Sequence, residues 1–288
     1  QFKLGSELMD LRDAQYLTKY AKGTHFIKGK GIVTIHEEQS KAIKNWEISF
    51  DENKLKEWPR YMLYSLWLDK GIQFDLAGEL KRWRERLLKN KNKHDNIQES
   101  LPDFLREYQA DGVAWMQHMY NNGGHCLLAD EMGLGKTLQV LTLLAHCAEF
   151  NQSSIIVCPA SVVPVWKMEI ERWYPKLKVK ILKSDRLPKN EKGVLWLSSY
   201  SLLRRHVEQV KVVKFEYLIL DEAQCIKNPL AKVSQACYAL NGKYRLAITG
   251  TPIENKLLDI WSIFNFLMPG LMGTMQEFEV ALQVGNAK

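Results

Sequence analysis

The run Gly133-Leu134-Gly135-Lys136-Thr137 has the residue types, in the order, that hold phosphate. The two glycines can turn backbone N–H groups inward, the lysine can reach β- and γ-oxygens, and the threonine hydroxyl can ligate Mg²⁺. The general phosphate-loop pattern G-x-x-x-x-G-K-[ST] asks for glycine where this chain has Asp130. Downstream, Asp221-Glu222 pairs two carboxylates. Beside a bound nucleotide, the first suits the Mg²⁺ shell and the second suits orienting and deprotonating an attacking water. Further on, Thr249-Gly250-Thr251-Pro252 offers hydroxyls that can sense a γ-phosphate and pass its loss to a neighbouring surface. Taken singly, the acid pair reads as two solvated acids and the last stretch as a turn. Behind a phosphate loop, in this order, they read as parts of one hydrolytic site.

Such a site needs a scaffold that gathers the three stretches. The run 125–130 reads as a strand, and 137–150 reads as a helix with Leu138, Leu141, Leu144 and Cys147 on one stripe. Residues 130–136 are then a strand-to-helix turn, the setting a phosphate loop requires. Further apolar β-type runs lie at 153–160, 193–199, 217–222 and 244–250, with helical patterns at 162–173 and 229–240. Apolar runs alternating with helices predict an α/β fold, a mostly parallel sheet covered on both faces. The acid pair and residues 249–252 fall at the carboxyl ends of two of those strands, where open α/β sheets gather ligands.

Composition shifts near residue 90. Upstream, Leu76, Leu80, Trp83 and Leu87 mark one face of a helix whose opposite face is basic, and the polar run 90–100 reads as a linker. Residues 1–95 are expected to form a small mixed accessory domain with its linker, and 96–288 the lobe that carries the chemistry. Within the first part, 25–39 reads as a hairpin turned at 29–31, and 58–71 as an aromatic-rich helix. A net charge of +7 and a pI near 9.0 suit a polyanionic partner. The five cysteines, Cys126, Cys147, Cys158, Cys225 and Cys237, form no C-x-x-C pair, so they read as buried reduced thiols rather than zinc ligands. No apolar run is long enough to span a bilayer, and the start shows no secretory signal. The first residue is Gln1 rather than Met, which suggests an excerpt from a longer protein.

Several segments together resemble the SWI/SNF-type branch of the superfamily 2 helicase-like ATPases, in a compact, bacterial-type form. Residues 105–116, "LREYQADGVAWM", look like that family's adenine-reading glutamine motif, and "LADEMGLGKT" like its motif I, where an acid at the place of Asp130 is usual. Residues 155–173 are similar to motif Ia, 197–205 to motif Ib, and 220–229 to motif II with an Asp221-Glu222-Ala223-Gln224 box. Residues 246–273 resemble motif III and the close of the first lobe, so the likeness covers about 60% of the chain.

The resemblance implies a RecA-like P-loop lobe that binds ATP and Mg²⁺. It implies nucleotide contacts at Arg106, Gln109 and Gly133, Leu134, Gly135, Lys136, Thr137 and Leu138, and catalysis through Lys136, Asp221 and Glu222. It implies Mg²⁺ held by Thr137 and Asp221, and coupling through Thr249, Gly250, Thr251 and Pro252. It further implies backbone contacts to double-stranded DNA at Ser161, Ser199, Tyr200 and Arg204. The implied activity is ATP-driven movement along duplex DNA that displaces or remodels a DNA-bound protein, in a bacterial nucleoid or a nucleus, with no membrane role. A second RecA-like lobe would supply an arginine finger, and without it turnover falls by about 10³ to 10⁵. Two alternatives stay open: a strand-separating helicase of superfamily 2, and a non-hydrolysing DNA-binding scaffold switched by nucleotide.

Overall fold

The computed structural model describes residues 2–4, 7–9, 23–27, 31–35, 59–61, 82, 85, 101–147, 152–251 and 257–285. Two compact units are present: Gln1–Lys89 together with Gly270–Lys288, and Asn90–Pro269. In the first, strand β1 (Phe2–Leu4) pairs antiparallel with β2 (Glu7–Met9), and β3 (Gly23–Ile27) pairs antiparallel with β4 (Gly31–Ile35). The second pair is the expected hairpin, closed where Ile27 faces Gly31. This unit also holds the helix Met275–Gly285, opened by Thr274: its Oγ1 accepts from Glu277 N at 3.3 Å while Glu277 Oε2 accepts from Thr274 N at 2.8 Å. Of the expected helices at 58–71 and around 76–93, only Arg60, Tyr61, Arg82 and Glu85 lie among the described helical residues. The rest of both, and most of the linker, lies outside the described residues.

The second unit is built on one sheet of six strands, all parallel. They are β5 (Cys126–Leu128), β6 (Ser153–Cys158), β7 (Lys178–Ile181), β8 (Val194–Ser199), β9 (Lys214–Asp221) and β10 (Asn241–Ile248). Their spatial order is β5-β10-β9-β6-β8-β7. Helices α1 (Glu107–Asn121), α2 (Lys136–Thr142) and α3 (Val163–Trp173) supply one core with alternate strand residues such as Ile156, Cys158, Ile219 and Ile248. The intervening residues, among them Ile155, Val157, Leu218 and Ala247, join a second core. It takes its helical side chains from α4 (Tyr200–Arg205), α5 (Val207–Val210), α6 (Lys232–Tyr238) and α7 (Leu257–Leu267). Burial on both faces explains why these strands read as unbroken apolar runs.

Local differences from the sequence expectation have identifiable causes. Strand β7 was not anticipated: it is four residues of alternating Lys and Val or Ile at the sheet edge, where lysine discourages further pairing. The helix expected over 137–150 starts at Lys136 and widens into a π-helical turn, Leu143–Cys147. Thr142 stands at the change, its Oγ1 donating to Leu138 O at 2.8 Å and accepting from Tyr174 Oη at 2.8 Å. The helix expected over 229–240 is shortened to α6, because Asn228 holds a turn, with Leu230 N donating to its Oδ1 at 3.0 Å and Ala231 N to its carbonyl at 3.1 Å. Cys126, Cys158 and Cys237 are buried as expected, but Cys225 is exposed on a short 3₁₀ turn, Ala223–Ile226. Among the described residues no helix is long and apolar enough to cross a membrane.

Arg245 on β10 joins the sheet to α7. Its guanidinium donates to Phe266 O at 2.6 Å, near the C-terminus of α7, and to Leu240 O at 2.9 Å. Arg245→Met keeps the apolar stem and strands both carbonyls. Thermal unfolding is expected to show a loss of about 2 kcal/mol; an unchanged melting temperature would show that water replaces the guanidinium without cost.

Candidate active site

Strand pairing fixes where the three chemical stretches emerge. Ile248 at the end of β10 is paired with Leu128 at the end of β5 and with Asp221 at the end of β9. Thr249 N then donates to Leu128 O at 3.1 Å. The chain leaving β5, the acid pair and residues 249–251 therefore share one edge of the sheet. A Cβ added to Gly250 would meet Met132 Cγ at 2.9 Å and Lys136 Nζ at 3.9 Å, so this backbone lies directly against the loop. Pro252 lies outside the described residues.

The loop takes its shape from its glycines and from two glutamines. Gly133 and Gly135 have φ of 84° and 74°, left-handed values that glycine adopts without steric cost. Lys136 Nζ donates to Asp130 O at 2.6 Å and to Glu131 O at 2.8 Å. Gln109 on α1 uses both ends of its amide locally: Oε1 accepts from Arg106 N at 3.1 Å and Nε2 donates to Leu134 O at 3.1 Å. Tyr108 Oη donates to the same carbonyl at 3.2 Å. Gln109 is only 6% exposed, so a contact with a base must share or replace these bonds. Thr137 and Leu138, in the first turn of α2, are half-buried.

Gln139, fully buried on α2, was not singled out by the sequence. Its Nε2 donates to Asp130 Oδ2 at 3.1 Å, while its Oε1 has no hydrogen-bond partner. An orphaned buried acceptor costs about 1–3 kcal/mol. The amide packs directly against a glycine of α1: a Cβ on Gly112 would stand 2.1 Å from Gln139 Oε1 and push the side chain from this position. Glycine inside a helix costs a further 0.5–1 kcal/mol or so relative to alanine.

The acid pair is held from several sides. Asp221 Oδ2 accepts from Trp166 Nε1 at 2.7 Å, its Oδ1 accepts from Glu222 N at 2.9 Å, and its backbone O accepts from Tyr200 Oη at 2.8 Å. Burial pushes the Asp221 carboxyl above the usual carboxylate range, and the Glu222 charge adds to this. The Trp166 and Glu222 N–H bonds and the nearby Lys136 ammonium pull the other way. Glu222 has φ of 53°, the one positive value outside glycine among the described residues. Such a conformation costs on the order of 1–3 kcal/mol and is found where surrounding structure imposes it. Glu222 Oε2 accepts from Gln224 Nε2 at 2.6 Å, and Gln224 Oε1 accepts from Thr249 Oγ1 at 2.8 Å. Thr249 Oγ1 in turn accepts from Thr251 N at 3.1 Å, giving a continuous polar chain from the acid pair to the third stretch.

The four residues assigned to DNA separate into two kinds. Ser161 and Arg204 are exposed. Ser199 and Tyr200 are buried: Ser199 Oγ accepts from Leu202 N at 3.2 Å and caps α4, and the Tyr200 hydroxyl is spent on Asp221 O. Trp166 is the other residue that sequence reasoning missed. It reads as one more apolar position of an amphipathic helix, and only the fold turns its indole nitrogen toward Asp221.

A family model for the SNF2-related domain matches residues 108–287. This chain belongs to the SNF2-related domain family. Two similar proteins, named uncharacterized ATP-dependent helicases, come from mycoplasmas. That of Mycoplasma genitalium is 31% identical, covering 96% of this chain and 29% of its own length. That of Mycoplasma pneumoniae is 36% identical, covering 76% of this chain and 22% of its own length. The SNF2-related domain also matches a solved Sulfolobus solfataricus SWI2/SNF2 ATPase core in complex with double-stranded DNA, at 39% identity and a TM-score of 0.59. That match covers 65% of this chain and 41% of the archaeal one. The chain spans about a quarter of the length of the curated relatives it matches. The parallel sheet with helices on both faces is accordingly the RecA-like fold of this family.

Trp166→Phe keeps the ring in the core and deletes the N–H that favours ionised Asp221. The folded carboxyl already has a raised pKa, so its stability contribution falls as pH rises from the unfolded value toward the folded one. Without the indole donor the pKa rises further and that fall deepens. Thermal unfolding should therefore show a larger loss at about pH 7 than at about pH 3, where the carboxyl is protonated in both proteins. A loss independent of pH would mean that the indole acts through packing alone.

Proposed function

We propose that this SNF2-related domain is the first, ATP-binding lobe of an ATPase that moves along double-stranded DNA and displaces or remodels proteins bound to it. The observation that carries this reading is the convergence of the Lys136 loop, Asp221-Glu222 and Thr249 to Thr251 on one edge of the sheet. Lys136 exchanges its loop carbonyls for the β- and γ-phosphates, which the N–H groups of 133–138 surround. Gln109 reads adenine and Arg106 lies beside it. Thr137 Oγ1 and the Asp221 carboxylate are hard oxygen donors of the kind Mg²⁺ prefers, with nucleotide oxygens and waters completing the shell. Bound there, Mg²⁺ would neutralise charge developing on the phosphates. Glu222 orients and deprotonates the attacking water, and its bond to Gln224 continues to Thr249 and Thr251. These two, with Gly250 and Pro252, are assigned to passing loss of the γ-phosphate onward.

Ser161 and Arg204 present the exposed groups for the DNA backbone, with Ser199 and Tyr200 acting from the interior to place α4 and Asp221. Such contacts are independent of sequence and weaken with salt. Residues 1–95 are assigned to an accessory domain and 96–288 to the lobe itself. A second RecA-like lobe supplies an arginine finger, and the protein works where duplex DNA is, in a nucleoid or a nucleus. The helicase names of the mycoplasma relatives favour one other reading, a strand-separating enzyme. A strand-displacement assay on the full-length protein separates the two, since a translocase leaves the strands paired.

In the full-length protein, Lys136→Ala should weaken ATP binding and abolish DNA-stimulated hydrolysis. Glu222→Gln should leave ATP binding intact and lower turnover by about 10² to 10⁴, the share expected of a general base. Unchanged hydrolysis in Lys136→Ala would overturn the site assignment. Absence of any DNA-stimulated turnover in the wild type would instead favour a nucleotide-switched scaffold.

A further inference from the structure

The acid at Asp130 sets up a competition within the phosphate-binding loop. A carboxylate on the phosphate-binding loop competes with phosphate for the loop's own lysine. The Asp130 backbone carbonyl is already bonded to Lys136 Nζ at 2.6 Å, so the two residues are held close. An ion pair between them would occupy the ammonium that the β- and γ-phosphates require. In this structure, however, Asp130 Oδ2 accepts from Gln139 Nε2 at 3.1 Å, and Lys136 Nζ donates to the backbone carbonyls of Asp130 and Glu131.

Gln139 is an unfavourable residue for its place. It is fully buried and leaves Oε1 without a partner, and in this position it packs against Gly112 on the facing helix, where a Cβ would displace it. Methionine would fill the same volume without a buried orphan. Two local costs, an orphaned acceptor and a helical glycine, thus converge on one result, the bond from Nε2 to Asp130. Costs of this kind persist where geometry matters more than stability.

We propose that Gln139 is a positioning residue that holds the Asp130 carboxylate away from the Lys136 ammonium, keeping Lys136 available to polyphosphate. The inference rests on the assignment of Lys136 to nucleotide phosphates. It also gives the acid at position 130 a role: tethered, Asp130 turns its carbonyl to Lys136 and braces the loop in a place where the general pattern has glycine.

The test is binding of Mg-ATP, tripolyphosphate and AMP to this chain, by calorimetry or displacement of a fluorescent ATP analogue. Gln139→Met should weaken ATP and tripolyphosphate on the order of tenfold, the factor expected when one charge-assisted hydrogen bond is lost. AMP, which has no β- or γ-phosphate for Lys136 to meet, should bind as in the wild type. Adding Asp130→Asn to Gln139→Met removes the competing charge and should restore ATP binding to within about threefold of wild type. A purely structural role predicts the opposite: all three ligands weaken, and the second substitution makes binding worse. Either that pattern or wild-type ATP affinity in Gln139→Met overturns the proposal. If Gln139→Met does not fold, the same comparison is made with Gln139→Ala, which removes bulk instead of exchanging it. Failure of the underlying reading looks different, because Lys136→Ala would then bind ATP as tightly as the wild type.

Discussion

The register between three parallel strands is the constraint from which the rest of this domain follows. Leu128, Ile248 and Asp221 are neighbours across β5, β10 and β9, and neighbouring strands lie about 4.8 Å apart. Leu128 and Ile248, 120 positions apart along the chain (248 − 128), are thereby set side by side. Parallel pairing also sends all three strand ends the same way, so every group that follows them emerges on one edge. A slip of one residue in β10 would turn Ile248 and Ala247 into each other's cores and carry Thr249 away from Gln224. The apolar alternation on both faces is what forbids that slip.

On this edge, polar groups are positioned by bonds to one another. Asp221 is gripped by an indole from α3, a backbone N–H and the hydroxyl of Tyr200 on α4. Glu222 is set by its left-handed backbone and by Gln224, which also reaches Thr249. The loop is set by Gln109 from α1 and Gln139 from α2. Side chains from both layers of helices thus meet at the carboxyl ends of the strands. Each buried polar atom is expensive, and most here have partners, so a shift in one shifts the next.

The tolerated costs lie in the same region. Glu222 carries the described positive φ outside glycine, Gln139 leaves an acceptor unpartnered, and Gly112 occupies a helix where alanine would be better. The cores below the site show the opposite character, filled by Ile, Leu, Val and aromatic side chains on alternate strand positions. Stability comes from those two layers, and the rim uses part of it to hold strained or unsatisfied groups in place.

Much of this was legible in the residues themselves. Apolar runs bounded by turns marked five strands, because burial on both faces demands unbroken hydrophobicity. Order and residue type marked Lys136, Thr137, Asp221, Glu222 and Thr249, because the chemistry of phosphate and metal allows few substitutes. Edge strand β7 was hidden, since a short strand with lysines on one face carries little apolar signal. Trp166 and Gln139 were hidden for a different reason. Each lies on a helix whose local pattern explains it as core, and its polar atom has meaning only across the fold, where Asp221 or Asp130 waits for a donor. The same holds for Ser199 and Tyr200, whose hydroxyls looked available and are turned inward. Residue types and their order were enough to mark which groups could do chemistry and on which strands they stood. Which hydrogen-bond partners aim them is settled by the fold, because those partners are far apart along the chain and meet only when the sheet and its two helical layers close.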